Sequence, residues 1–241
     1  RKGGMLYRPT DLACGPDGAI YILGWGGNYH YEPGREGSWV FRITHSKADR
    51  SDRPQQTPIA DRSVAQLLMD LGPGALPARR VNSQDELVRR GVTIRDELVE
   101  AISGTKLTTG QQTWAVWALG RMAQPKAGHA ETLRQWAAPP APAATVRVRR
   151  NLRIQAIRIL AAPAHRQEKN EALFAAVTTA LRDSDPRIRF EAMQAIHQAR
   201  LVRATGAVVE QLAREEDRLV SYAGWQALRE LAPLKTRRSW L

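Results

Sequence analysis

The five histidines, His30, His45, His129, His165 and His197, are the side chains best suited to acid–base or metal chemistry, and their spacing sets up neither. None forms an HExxH pair or a close trio with carboxylates, which is how a zinc ion collects ligands from one helix face. His30, between Tyr29 and Tyr31 in a glycine-rich loop, is the best of them for a site role, whereas His197 falls on the flank of a helix as a surface or interface residue. A single cysteine, Cys14, excludes an internal disulfide and any cysteine-based zinc or haem motif within these residues, and reads as a small buried apolar side chain. There is no GxSxG, no phosphate loop and no dinucleotide fingerprint; Gly24-Trp25-Gly26-Gly27 is a turn leaving a strand. The acidic pairs Asp96-Glu97 and Glu215-Glu216 fall near helix N-termini, where the helix dipole stabilises negative charge without any catalytic role. Trp114 and Trp117, three apart on one helix, share a face and read as core. No catalytic, cofactor-binding or metal-binding set is therefore assigned within these residues.

Charge offers one further chemistry. The chain of 241 residues carries a formal net charge of +12, and residues 126–165, with seven basic and one acidic side chain, hold half of it. A local basic surface suits nucleic acid, an anionic membrane or an acidic protein. Its centre is TVRVRRNLRIQAIRILA, from Thr145 to Ala161, a helix whose buried arc is Val148, Leu152, Ala156, Ile159 and Leu160. Arg147, Asn151 and Arg158 fall opposite with Arg150 close by, so Arg147, Arg150 and Arg158 form the candidate surface for an anionic partner.

The elements that position these residues are mostly helices. Asp183 to Arg200, DSDPRIRFEAMQAIHQAR, shows the unit: Asp185 caps, Pro186 takes the first helical position, and Ile188, Ala192, Ala195, Ile196 and Ala199 line one face. Arg187, Arg189, Glu191 and Gln194 are left for water or a partner. Asp61 to Leu71 reads as a short helix, and Ser83 with Glu86 as the capping box of a second that ends at Gly91, with Gly72 to Asn82 irregular between them. Four further pairs join Ile94–Ser103 with Gln111–Ala123, His129–Ala137 with Thr145–Ala161, Glu168–Arg182 with Asp185–Arg200, and Gly206–Arg214 with Asp217–Leu231. Superposed second helices align Ala118-Leu119, Ile159-Leu160, Ala195-Ile196 and Ala227-Leu228, at spacings of 41, 36 and 32 residues. Two-helix units at that period define a HEAT-like α-solenoid of about five pairs over residues 61–241. No apolar run is long enough to span a membrane.

Residues 1–50 differ in kind. Asp11–Cys14 and Ala19–Leu23 flank Gly15-Pro16-Asp17-Gly18 as a hairpin, and Ser38–Ile43 is a third strand with Trp39, Phe41 and Ile43 on one face. Three strands are too few for a sheet with two protected faces, so the piece belongs to something larger. The run RPTDLACGPDGAIYILGW, the loop with His30 and the exit strand GSWVFRIT resemble the last blade of a six-bladed β-propeller of glucose or sorbosone dehydrogenase-like proteins. Planctomycete-type putative membrane-bound dehydrogenases, in which HEAT-like repeats and a c-type cytochrome follow the propeller, are the nearest family in this resemblance. It implies a partial blade over 1–50, propeller-face contacts from Arg8, Asp11, Trp25 and His30, and an extracytoplasmic location, while the shift to Ser, Asp, Pro and Gln after Arg50 reads as a linker over 51–60. The resemblance also implies haem c, and a quinone or calcium, in a parent protein outside this segment.

Three functions stay open at this point. The first is a non-catalytic docking fragment of a sugar- or polyol-dehydrogenase-like protein, contacting other domains of its own chain or another protein. The second is a nucleic-acid-binding solenoid using the basic helix, and the third a protein-interaction scaffold without redox role. Trp240, in KTRRSWL at the end, is expected to lie exposed where a solenoid has been cut.

Overall fold

A computed structural model of the chain describes residues 8–15, 19–25, 38–44, 57–122, 128–139, 150–162 and 171–231. His30, Arg147, His165, Trp240 and the loop 16–18 lie outside them. The chain divides into two compact units, Arg1–Glu86 and Leu87–Leu241.

The first unit opens with β1 (Arg8–Cys14), β2 (Ile20–Trp25) and β3 (Ser38–Ile43), an antiparallel sheet in that order. Gly15 N–H donates to the Ala19 carbonyl at 2.8 Å and closes the first hairpin, setting Cys14 opposite Ile20. The register slips between Pro9 and Asp11, beside a residue that has no N–H to give the ladder. Large apolar side chains are exposed along all three strands, Leu12, Val40 and Ile43 among them, as the small area of three strands requires. Cys14 is exposed on the edge strand β1, which corrects its expected burial.

A 3-10 turn at Ile59–Asp61 precedes α1 (Val64–Asp70), so Asp61 does not start that helix. Ser63 does: its hydroxyl accepts from Gln66 N–H at 3.2 Å while the Gln66 side chain accepts from Ser63 N–H at 2.9 Å. Helix α2 (Pro77–Arg90) begins six residues before the expected Ser83 cap, with proline at its first position. Ser83 is instead buried inside the helix, its hydroxyl donating to Asp70 Oδ2 at 3.2 Å, and Glu86 is buried too. The Asp70 carboxylate also receives Arg62 and Arg79, so one acidic side chain ties the start of α1 to α2. Gly91, at φ +60°, ends α2 in a backbone conformation that side chains resist.

The second unit is four helix pairs: α3 (Arg95–Ser103) with α4 (Thr109–Arg121), α5 (Gly128–Ala137) with α6 (Arg150–Ala161), α7 (Glu171–Ala180) with α8 (Pro186–Ala199), and α9 (Thr205–Leu212) with α10 (Arg218–Leu231). The second helices α4, α6, α8 and α10 stack on one another in order, and α5 packs on α7 in a parallel row. Each start is capped where the sequence offers a cap: Thr108 with Gln111 for α4, Asp185 ahead of Pro186 for α8, Asp217 for α10. Ala118-Leu119, Ile159-Leu160, Ala195-Ile196 and Ala227-Leu228 are all buried, so the aligned pairs are the seam of the stack. Close approach needs small residues there. A Cβ on Gly120 of α4 would lie 2.5 Å from Ile159 Cγ2 of α6. The architecture is mainly α, a HEAT-like solenoid of stacked helix pairs with a small antiparallel sheet in the preceding unit.

Candidate functional site

Buried charge, rather than exposed charge, organises the second-helix row. Arg153 of α6 is only 7% exposed and its Nη2 donates to Asp183 Oδ2 at 2.6 Å. One repeat later, Arg189 of α8 forks onto Glu215 through Nε at 2.7 Å and Nη2 at 2.6 Å. The two arginines are 36 residues apart and the two carboxylates 32, matching the spacings of the seam. Each carboxylate has a second duty: Asp183 Oδ1 accepts from Asp185 N–H at 2.9 Å and Glu215 Oε1 from Asp217 N–H at 3.0 Å. Every such corner therefore fixes the residue that caps the following helix. The Glu215 side chain has no exposed surface, and the Arg189 guanidinium, helped by Gln211 and the Asp217 N–H, holds its carboxyl down to about 2 against the cost of burial. The ladder is bounded at both ends by polar but uncharged residues, Gln112 in α4, donating to the Ile102 carbonyl at 2.9 Å, and Ser221 in α10.

Around this ladder the same row carries a lateral network. Trp117 Nε1 donates to Gln155 Oε1 at 2.9 Å, Gln155 Nε2 to Asn151 Oδ1 at 3.2 Å, and Asn151 Nδ2 to Thr113 Oγ1 at 2.8 Å, linking α4 to α6. Arg158 forks onto Glu191 at 2.8 and 2.6 Å, and Arg187 adds a contact to the same carboxylate at 2.7 Å, linking α6 to α8. Glu191, expected to be left for water or a partner, is 3% exposed under these two arginines. Arg150 pairs with Asp185, which lowers the Asp185 carboxyl and leaves it free to cap Arg187 N–H at 2.9 Å. The Arg187 guanidinium also lies 5.1 Å from the centre of the Phe190 ring.

The basic helix thus lies within the stack, and its described candidate arginines, though 60 and 39% exposed, are held in ion pairs. Of its three candidate arginines, Arg150 and Arg158 are paired to carboxylates of the next repeat and Arg147 lies outside the described residues. Arg153, Asp183 and Glu191, which form the links, escape a reading helix by helix because each partner stands some thirty residues away. The repeat offset is the signal that finds them.

The row's apolar side chains stay open at its end. On α10, Leu219, Tyr222 and Trp225 are 67, 63 and 58% exposed, with Gln226 Nε2 donating to the Tyr222 hydroxyl at 2.6 Å. His197 lines a shallow groove of about 400 Å³ with Gln198, Arg200 and Glu230. Elsewhere, Arg8 and Trp25 are paired in the backbone register of β1 and β2, and Asp11 Oδ1 accepts from Leu12 N–H at 2.7 Å. His30, the fourth of these expected contacts, lies outside the described residues. Among the described residues no group of histidine, cysteine or carboxylate side chains could hold a metal ion, and no helix is long and apolar enough to cross a membrane.

No family model matches the chain. No curated protein matches it either. Among solved structures it is similar to the complex of CpcE and CpcF of phycocyanin lyase from Nostoc sp. PCC7120, at 20% identity and a TM-score of 0.49, over 68% of this chain and 96% of that one. The resemblance to a dehydrogenase propeller is corrected accordingly: no family model and no curated relative supports it. Its physical source is plain. A turn-forming run such as Gly-Pro-Asp-Gly between alternating strands, with a third strand following, serves three-stranded antiparallel sheets of many kinds, so it specifies the sheet and not a parent enzyme. The dehydrogenase docking role goes with that resemblance, and the haem, quinone, calcium and extracytoplasmic expectations lose the feature that implied them.

Proposed function

We propose that this chain is a non-catalytic scaffold that binds another protein across its second-helix row. One observation carries the reading. The row's buried charges are matched inside the chain, while Phe190 remains partly open along it and Tyr222 and Trp225 largely open at its α10 end. A surface with aromatics at its centre and its buried charges paired is the composition of a protein interface, and rigidity lowers the entropy lost on binding. Arginines already forked onto carboxylates are poor phosphate ligands, since a phosphate would have to displace the carboxylate first.

The test is affinity capture from extracts of the source organism, comparing the wild-type chain with Phe190→Ala/Gln194→Arg, a variant checked for unchanged helicity. Stoichiometric retention of a protein by the wild type, lost in the variant, supports the scaffold. Identical retention by both, or none by either, overturns it. Duplex DNA binding that weakens on Arg150→Glu/Arg158→Glu would favour a nucleic-acid role instead.

A further inference from the structure

We propose that the outer face of α10 receives an acidic amphipathic helix of another protein, an inference that rests on the scaffold reading and assigns it a docking point. The register of the repeats identifies the face. Val116 of α4, Ile157 of α6 and Met193 of α8 are 0% exposed, and all occupy the position of Trp225, which is 58% exposed. The position of Arg229 is Gly120 in α4, whose missing Cβ is what lets Ile159 of the following second helix come close. The side of α10 that carries Trp225 and Arg229 is therefore the side by which each earlier second helix meets its successor. Among the described residues nothing covers it. A docked helix continues an interface that the chain already builds three times between α4, α6, α8 and α10.

The residues on this face state what the occupant must be. Arg218, Tyr222, Trp225 and Arg229 follow one another at steps of four, three and four, the spacing of a helix-pairing seam, with two aromatics in the middle and an arginine at each end. Neither Arg218 nor Arg229 has a carboxylate partner among the described residues. A second copy is a poor match in an antiparallel two-fold pairing, because setting Tyr222 against Trp225 of the other copy also sets Arg218 against its Arg229. The complement is a helix with small or apolar residues at its centre and carboxylates three turns apart, one for each arginine.

A labelled alanine-based helical peptide carrying glutamates eleven positions apart, with leucines at the two seam positions between them, is the probe. Fluorescence anisotropy with the full chain should show saturable binding, weakened at least about tenfold by Trp225→Ala, the scale of a central interface anchor. Arg218→Glu/Arg229→Glu should lose this peptide and gain one with lysines in place of the glutamates. Absence of binding, binding indifferent to Trp225→Ala, or a concentration-dependent doubling of mass that Trp225→Ala abolishes overturns the proposal. Phe190→Ala/Gln194→Arg separates the two readings: it should keep the peptide while losing the captured partner. A chain that captures a partner yet ignores the peptide retires the α10 proposal and leaves the scaffold standing.

Discussion

At the scale of single residues, the stack is decided by side chains whose role depends on a neighbour one repeat away. Gly120 and Gly224 both sit inside helices, where alanine would ordinarily add up to about 1 kcal/mol. Their surroundings differ. The Cβ of alanine at 120 would meet Ile159 Cγ2, a branch methyl in a fully buried residue, at 2.5 Å, whereas at 224 it meets Leu212 Cδ2, the far end of a half-buried side chain, at 2.7 Å. Gly120→Ala should therefore lose about 1–3 kcal/mol in urea unfolding, while Gly224→Ala stays within about 0.5 kcal/mol of the wild type. Equal effects would show that α4 and α6 do not approach as described. Glu191 is a second case. Arg158 and Arg187 both reach it, so losing Arg158 alone leaves a partner, and Arg158→Ala/Arg187→Ala should be worse than the sum of its parts. Additive losses in a double-mutant cycle would deny the shared contact. Neither role was legible from the residue itself: a mid-helix glycine reads as a weak position, and Glu191 reads as one of the charged residues left for water or a partner.

At the scale of elements, caps were the clearest signal and the ladder the least clear. Asp185-Pro186 and Asp217 mark the true starts of α8 and α10 because capping is local chemistry. Ser83-x-x-Glu86 has the same form, yet tertiary contact with Asp70 outweighs it and Pro77 starts α2. From the sequence Glu215 reads only as a residue near a helix N-terminus, and Asp183 only as the start of its stretch, since the arginines that fix them lie in the preceding repeat. Their titration tests the ladder. With Arg189 holding Glu215 down to about 2 from an ordinary value near 4.5, the unfolded chain takes up this proton before the folded chain does as the pH falls. The contribution is complete above about 4.5 and lost progressively toward about 2. Comparing wild type and Glu215→Gln by urea unfolding at pH 5, 4 and 3, the stability difference should narrow with each step. A difference that stays constant across that range would contradict the ion pair.

At the scale of the whole molecule, a fold built by stacking is legible wherever its period is. The spacings of 41, 36 and 32 residues gave the solenoid and its seam, and the seam residues proved buried in every repeat described. Function was not legible in the same way. Sheet-forming residues in the first fifty positions suggested a parent enzyme, but a hairpin reports backbone geometry and carries no information about substrate. The proposed interaction surface emerges only when second helices are placed side by side, which joins Trp117 to Gln155 and Arg158 to Glu191, and leaves Tyr222 and Trp225 open at the α10 end. That surface is the central claim, and hydrogen exchange on the complex with the captured partner tests it most directly. Protection on binding should fall on α4, α6, α8 and α10. Protection confined to α5, α7 and α9, or absent from the helical unit altogether, would contradict it.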